Sequence, residues 1–188
     1  RGTPRRLDDS TTRRLVAAML LLLAACASTP KVPLTSPRWD EMPAPVLDAL
    51  CARLQMDAIG NGSPVAIVGT TRPLANPQTM SALALVSRGA RSSRNRIAEA
   101  AADANRMIPI PTEGTACSWQ VIPANQIDRH HDEMLVELSA PMLHPFASRQ
   151  AGLFARVSVG GQGASWYWVS LVPTGDTWTV SQVGVLVQ

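Results

Sequence analysis

The sequence predicts an α+β fold, with two or three helices packed on one face of a curved, mainly antiparallel sheet of about five strands. Apolar residues recur at helical spacing in parts of the first half of the chain, whereas apolar and polar residues alternate through most of the second half. Glycine- and proline-containing turns separate the alternating runs, which is typical of an antiparallel meander.

Two helices and one strand are predicted in the first half. Val46 to Leu54 places apolar residues three and four apart and predicts an amphipathic helix. Val65 to Val68 is a brief apolar run and predicts a strand. Met80 to Val86 fits either a helix or a buried strand, so its structure stays open. Arg94 to Met107 is rich in alanine, begins after serines that can cap it and is stopped by prolines, so it predicts the second helix.

The second half predicts strands from its period of two. Trp166 to Val172 is apolar on both sides, which indicates a central strand covered on both faces. In the last strand the apolar phase changes by one residue, which predicts a β-bulge near Gln182. The alternating runs lie at residues 117–121, 134–138, 153–159, 166–172 and 178–187.

Charge argues against one class of function. The chain has 188 residues, enough for one domain, with 17 basic and 14 acidic residues. Five of the basic and two of the acidic residues precede the apolar run near the amino terminus, so the remainder is formally neutral. Nucleic-acid binding needs an excess of positive charge, and this class is therefore disfavoured.

The amino-terminal segment has the anatomy of an export signal. Arg13-Arg14 precedes the apolar run Leu15 to Ala25, which is too short to cross a bilayer as a helix. Leu23-Ala24-Ala25-Cys26 resembles the lipobox of bacterial lipoproteins. The resemblance implies that Cys26 receives a diacylglycerol, that the chain is cut just before it and that the new amino terminus is acylated, for example with palmitate. Several acyl chains on one residue satisfy the requirement for stable anchoring.

This resemblance sets the expected domains and location. Residues 1–25 would be a cleaved signal peptide, 26–45 a lipidated, Pro/Ser/Thr-rich tether, and 46–188 a single α+β domain. Ala27 stands where an aspartate would favour the inner membrane in that family. We therefore expect a cell outer membrane lipoprotein facing the periplasm, held to the membrane through the acyl chains on Cys26.

A second resemblance concerns the closing hairpin only. Trp166 to Val180 resembles the end of cystatin-like and nuclear-transport-factor-like domains, in which a helix lies in a curved sheet. It implies a pocket for a small ligand, with Asp128, His130 or His131 as candidates for enzymatic chemistry. Trp166, Tyr167 and Trp168 would line such a pocket or belong to the core.

Cysteine and arginine supply two further candidate sites. Once Cys26 is lipidated, Cys51 and Cys117 form an even pair, and an oxidising compartment favours a disulfide between them. The four arginines in a nine-residue stretch indicate an anion site for a phosphate on a lipid or glycan, the alternative being a solvated basic loop. These arginines are Arg88, Arg91, Arg94 and Arg96.

Catalytic and metal motifs are weak. His130 and His131 are the weak metal candidates, but adjacent histidines do not give the same-face spacing of one helical turn that zinc sites use. No nucleophile elbow occurs in the sequence. We expect no cofactor, and we favour a binding or structural module for another envelope protein or glycan over an enzyme. The alternative is the small-ligand pocket.

Overall fold

The computed structural model describes most of the predicted domain and little of what precedes it. The export segment, the lipobox and most of the tether lie outside the described residues. These residues belong to one folded unit, Leu34–Gln188. They are residues 35–39, 42–56, 65–87, 91–130, 133–160 and 163–187.

Three α-helices and one 3-10 helix occur in the described chain. Helix α1 spans Pro43–Met56, α2 Pro77–Val86 and α3 Arg94–Ala104, and the 3-10 helix spans Ala124–His130. The ambiguous segment is thus helical. Asn76 decides its start, because its side chain accepts hydrogen bonds from the first-turn amides and Pro77 follows at the first helical position.

The α3 helix begins as predicted and ends earlier. Ser93 is its N-cap residue and accepts a hydrogen bond from the amide of Arg96. The helix ends at Ala104, three residues before the predicted end at Met107, since Asn105 already leaves the helical conformation. The Asn105 side chain instead bonds the backbone of Ala75 through both its oxygen and its nitrogen.

Seven strands form one sheet in the order β2-β1-β3-β5-β6-β7, with β4 pairing to β5. Strand β1 is parallel to β2 and β3, and the remaining pairs are antiparallel. The α+β class and the mainly antiparallel sheet are confirmed, with more strands than the predicted five. The strands are β1 Val65–Val68, β2 Trp119–Ile122, β3 Met134–Leu138, β4 Met142–Leu143, β5 Ala151–Val159, β6 Ala164–Thr174 and β7 Thr177–Val187.

The carboxy-terminal meander follows the prediction closely. Strands β5, β6 and β7 pair in sequence as antiparallel neighbours. The register of β7 shifts where Ser170 pairs with Gln182 and Leu171 with Val180, so the bulge near Gln182 is confirmed. A second shift lies near the end of β7, opposite Trp166 and Tyr167.

Helices lie on both faces of the sheet rather than on one. On the front face, Val136, Ala155 and Val169 pack in a cluster with the apolar side of α1. On the back face, Phe154 and Trp168 pack with residues of α2 and α3. Strands β3, β5 and β6 are largely buried on both sides, and burying both sides requires a cover on each.

The folded body also begins earlier than the predicted boundary at residue 46. Trp39 is 4% exposed and Met42 2%, and both belong to the front-face core. The sequence places these side chains in the tether because no apolar period surrounds them. Burying each of these apolar groups stabilises by about 1.5–3 kcal/mol, which offsets part of the entropy lost when the segment is ordered.

Candidate functional site

A groove lies on the back face of the sheet in the described chain. It lies between α2, strands β6 and β7, and the loop that follows β4, and its volume is about 640 Å³. Leu83, Val86 and Ser87 line it from α2 and its C-cap. Among the described residues of the lining, Arg53 of α1 is the one that carries a permanent charge.

Hydrogen-bonding side chains are spread over the sheet side of this groove. Gln150, Ser170 and Gln182 line it, together with His144 and the indole of Trp168. Hydroxyl and amide groups each offer both a donor and an acceptor. The groove therefore suits a polar ligand that carries little charge and exposes hydrogen-bonding groups.

An aromatic cluster supports the groove from below. The Trp168 ring meets Phe154 edge-on at a centroid distance of 5.1 Å and His144 at 5.4 Å. Trp168 is 5% exposed, so it contributes an edge to the groove and most of its surface to the core. Tyr167 is fully buried on the opposite face. Of the two roles predicted for this aromatic run, core packing thus dominates, and Trp168 takes part in both.

His144 is the buried titratable group of the groove. Its Nδ1 accepts hydrogen bonds from the amides of Phe146 and Ala147, each at 3.1 Å. Its Nε2 lies 3.3 Å from Oγ of Ser87, and that hydroxyl donates to the carbonyl of Leu83 at 2.6 Å. Because Nδ1 is an acceptor, Nε2 carries the proton and donates to Ser87.

The surroundings keep His144 neutral. Burial and, to a smaller extent, the positive charge of Arg96 lower its pKa from 6.5 to about 4. A serine nucleophile needs an unprotonated ring nitrogen facing its hydroxyl. Here the nitrogen that faces Ser87 is the donor, so the pair is arranged to brace the loop and the end of α2.

Two of the three cysteines are joined. Cys51 of α1 and Cys117 form a disulfide with a Cα–Cα distance of 6.5 Å, closing a sequence separation of 66 residues. This bridge ties the front-face helix to the segment that leads into β2. Neither cysteine belongs to the lining of the groove.

Three of the four arginines of the predicted anion site lie among the described residues. Arg88 lies outside the described residues, whereas Arg91, Arg94 and Arg96 are exposed around the start of α3. Arg96 donates from Nη2 to the carbonyl oxygen of His144 at 3.3 Å. The start of α3 is thereby held beside the groove.

The histidine cluster does not form a metal centre among the described residues. Nδ1 of His130 lies 3.1 Å from a carboxylate oxygen of Glu133. His131 and Asp132 lie outside the described residues. Where side chains are described, no group of three histidine, cysteine, aspartate or glutamate residues has metal-binding geometry. Asp128 lines a different and smaller cavity, beside Arg156.

The structure contains a buried ionic cluster that the sequence analysis does not predict. Glu137 of β3 is 5% exposed on the back face and forms ion pairs with Arg72 and Arg156. The sequence does carry a signal for it: Leu135, on the same side of the strand, is apolar, which indicates that this side is buried. A carboxylate on a buried side requires paired positive charge.

Comparison of the chain with known protein families, with curated proteins and with solved structures finds no match. The resemblances to lipoproteins and to cystatin-like domains therefore stay predictions. Within the described part of the chain, no helix is both long enough and apolar enough to span a bilayer.

Proposed function

We propose that the chain is a lipid-anchored cell-envelope protein whose domain binds another envelope component in the back-face groove. The lipobox-like sequence ending at Cys26 supports the anchor. The observation that carries the binding role is the groove itself, which is about 640 Å³ in volume and is lined by apolar side chains together with hydroxyl and amide groups. Ligand sites are typically clefts of this size with a few polar groups that fix orientation.

The direction of the hydrogen bonds made by His144 favours a binding role over hydrolysis. To serve as a general base, His144 would have to expose an unprotonated Nε2 and place a proton on Nδ1. That proton would face the amides of Phe146 and Ala147, two donors fixed by the loop. The groove therefore offers recognition groups, and the ligand class that fits them is a neutral hydrogen-bonding surface such as a glycan or a peptide backbone.

A small-ligand pocket is the second candidate function. A cavity between a helix and the sheet, with a buried titratable side chain in its wall, is the arrangement expected for it, and His144 meets that description. The two candidates use the same groove and differ in what occupies it.

The anchor is tested on the exported protein. We expect intact-mass analysis to show acylated Cys26 and expect Cys26→Ser to move the protein from the membrane to the soluble fraction. Ser28→Ala, two residues away, is the matched control and should stay in the membrane fraction. An unmodified thiol at Cys26, or unchanged partitioning of Cys26→Ser, would refute the anchor.

The groove is tested by site-specific crosslinking in cells. A photoreactive residue at Gln182 lies in the groove, whereas one at Val121 lies on β2, at the far edge of the sheet. We expect an adduct from position 182 that is absent from position 121. A protein or glycan adduct supports the envelope partner, and a stoichiometric small molecule supports the second candidate. Identical adducts from both positions, or none from position 182, would refute the proposal that the groove is a binding site.

A further inference from the structure

Two large aliphatic side chains protrude at the end of α2. Leu85 is 81% exposed and Val86 52%. The whole of α2, Pro77–Val86, contains no charged residue. A surface helix normally turns charged or polar residues to water, so exposed aliphatic residues at the end of such a helix indicate a surface that becomes covered.

Positive charge surrounds this protrusion. Ser87 directly follows Val86 and lies against His144, and the carbonyl of His144 accepts a hydrogen bond from Arg96. These contacts hold the start of α3 beside the end of α2. Arg91 and Arg94 are also exposed there, and within the described chain none of the three arginines forms an ion pair with a carboxylate.

Acidic residues are absent from the same stretch of chain. From Arg72 to Ala98 the sequence has no aspartate or glutamate, and Glu99, the first acid on α3, lies five residues after Arg94 and three after Arg96. The corner between α2 and α3 thus combines exposed aliphatic groups with an excess of positive charge. We name the described residues Leu85, Val86, Arg91, Arg94 and Arg96 the α2–α3 corner.

We propose that the α2–α3 corner docks on the surface of an anionic lipid bilayer. Aliphatic side chains enter the boundary between headgroups and acyl chains, while arginines bind lipid phosphates, and neither contribution alone gives firm binding. The positive charge of the corner is complementary to the phosphates of such a bilayer, and Leu85 and Val86 are free to enter it. The proposal extends the proposed function, because acyl chains on Cys26 would hold the domain close to such a surface and the corner would fix its orientation.

The test places an environment-sensitive fluorophore at the corner of the full chain. Leu85→Cys is labelled in a Cys26→Ser background, and Val121→Cys, also an exposed aliphatic position, is the matched control. Vesicles of phosphatidylglycerol are compared with vesicles of phosphatidylcholine. The apolar run at 15–25 can bring either protein to a vesicle, but only the local probe reports contact at the corner.

We expect a blue shift at position 85 with phosphatidylglycerol, little with phosphatidylcholine and none at position 121. Raising the salt concentration should weaken the signal, and replacing Arg91 and Arg94 by glutamine should lower apparent affinity about fivefold per arginine. Equal shifts at both positions, or none at 85 with phosphatidylglycerol, would overturn the proposal. A blue shift at 85 without vesicles that depends on protein concentration would also overturn it, in favour of a second copy.

Failure of the bilayer-docking proposal is distinguishable from failure of the proposed lipid anchor. The vesicle measurement uses Cys26→Ser and is independent of lipidation. Acylated Cys26 with no lipid contact at position 85 would leave the anchor standing and refute the docking surface. Lipid contact at position 85 with an unmodified Cys26 would support the docking surface and refute the anchor.

Discussion

The indole ring of Trp168 lies directly over the backbone of Gly152 on the neighbouring strand. A Cβ on Gly152 would overlap the Trp168 ring and the carbonyl oxygen of Val169. Gly152 pairs with Ser170 across β5 and β6, next to the groove. The absence of a side chain at Gly152 therefore allows Trp168 to lie flat enough to support both the back-face core and the groove.

Gly152→Ala is expected to destabilise the fold by at least about 2 kcal/mol, because the added methyl group meets backbone and a packed ring. Gly184→Ala is the matched control. Gly184 also lines the groove, but its Cβ would meet only the flexible end of Gln182 at 3.7 Å. Urea unfolding measures both variants. Equal stability of the two would contradict the close approach of Trp168 to Gly152.

The disulfide should be a large part of the stability. Replacing Cys51 and Cys117 together by serine is expected to lower the free energy of unfolding by about 4 kcal/mol, from the loop entropy of a 66-residue separation. The measurement is thermal or urea unfolding of the oxidised protein and the double variant. The oxidised protein with a reductant added is the internal control and should approach the double variant. A loss below about 1 kcal/mol in both would show that the bridge does not constrain the unfolded chain.

Much of the fold could be predicted because most of its helices and strands show their buried side in the local sequence pattern. Helix α1 and the meander each show a clear period, and strand β1 is a short apolar run. The phase change in β7 is enough to locate its bulge from the sequence alone. Met80 to Val86 is ambiguous in the sequence since it is apolar on all sides, which removes the period that separates a helix from a strand. The Asn76-Pro77 start and the Thr79 partner of its capping box are the signals that resolve it.

The groove could not be predicted, because its residues are far apart in the sequence. Ser87, His144 and Gln182 meet only once the end of α2, the loop after β4 and the last strand have packed together. In the sequence, His144 is only an isolated third histidine. Parallel pairing of β1 with both β2 and β3 is likewise a long-range event that local periodicity does not encode.

Glu137 should be important for stability. Glu137→Ala leaves Arg72 and Arg156 without their shared carboxylate, and these side chains are 32% and 36% exposed. We expect a loss of about 2 kcal/mol, below the roughly 3–5 kcal/mol of a fully buried pair, since water partly solvates both arginines. Glu99→Ala, at an exposed position on α3, should change stability by less than about 0.5 kcal/mol. Similar small losses in both variants would show that the cluster contributes little.

His144 should make stability depend on pH in a defined window. Its pKa is lowered to about 4 by burial and by Arg96, whereas in the unfolded chain it returns to 6.5. Between these values the unfolded chain binds more protons, so stability is complete above pH 6.5 and falls as the pH drops towards 4. The slope contributed by this one group reaches about 1.4 kcal/mol per pH unit.

His144→Asn isolates that contribution. The Asn oxygen can replace Nδ1 as the acceptor for the amides of Phe146 and Ala147, so the loop keeps its hydrogen bonds without a titratable ring. Carboxylates titrate alike in both proteins, and the difference between their free energies of unfolding therefore reports His144 alone. We expect the free energy of unfolding of the original protein to fall relative to that of His144→Asn as the pH drops from 6.5 to 4. Parallel stability curves over that range would mean that the pKa of His144 is not lowered in the folded protein.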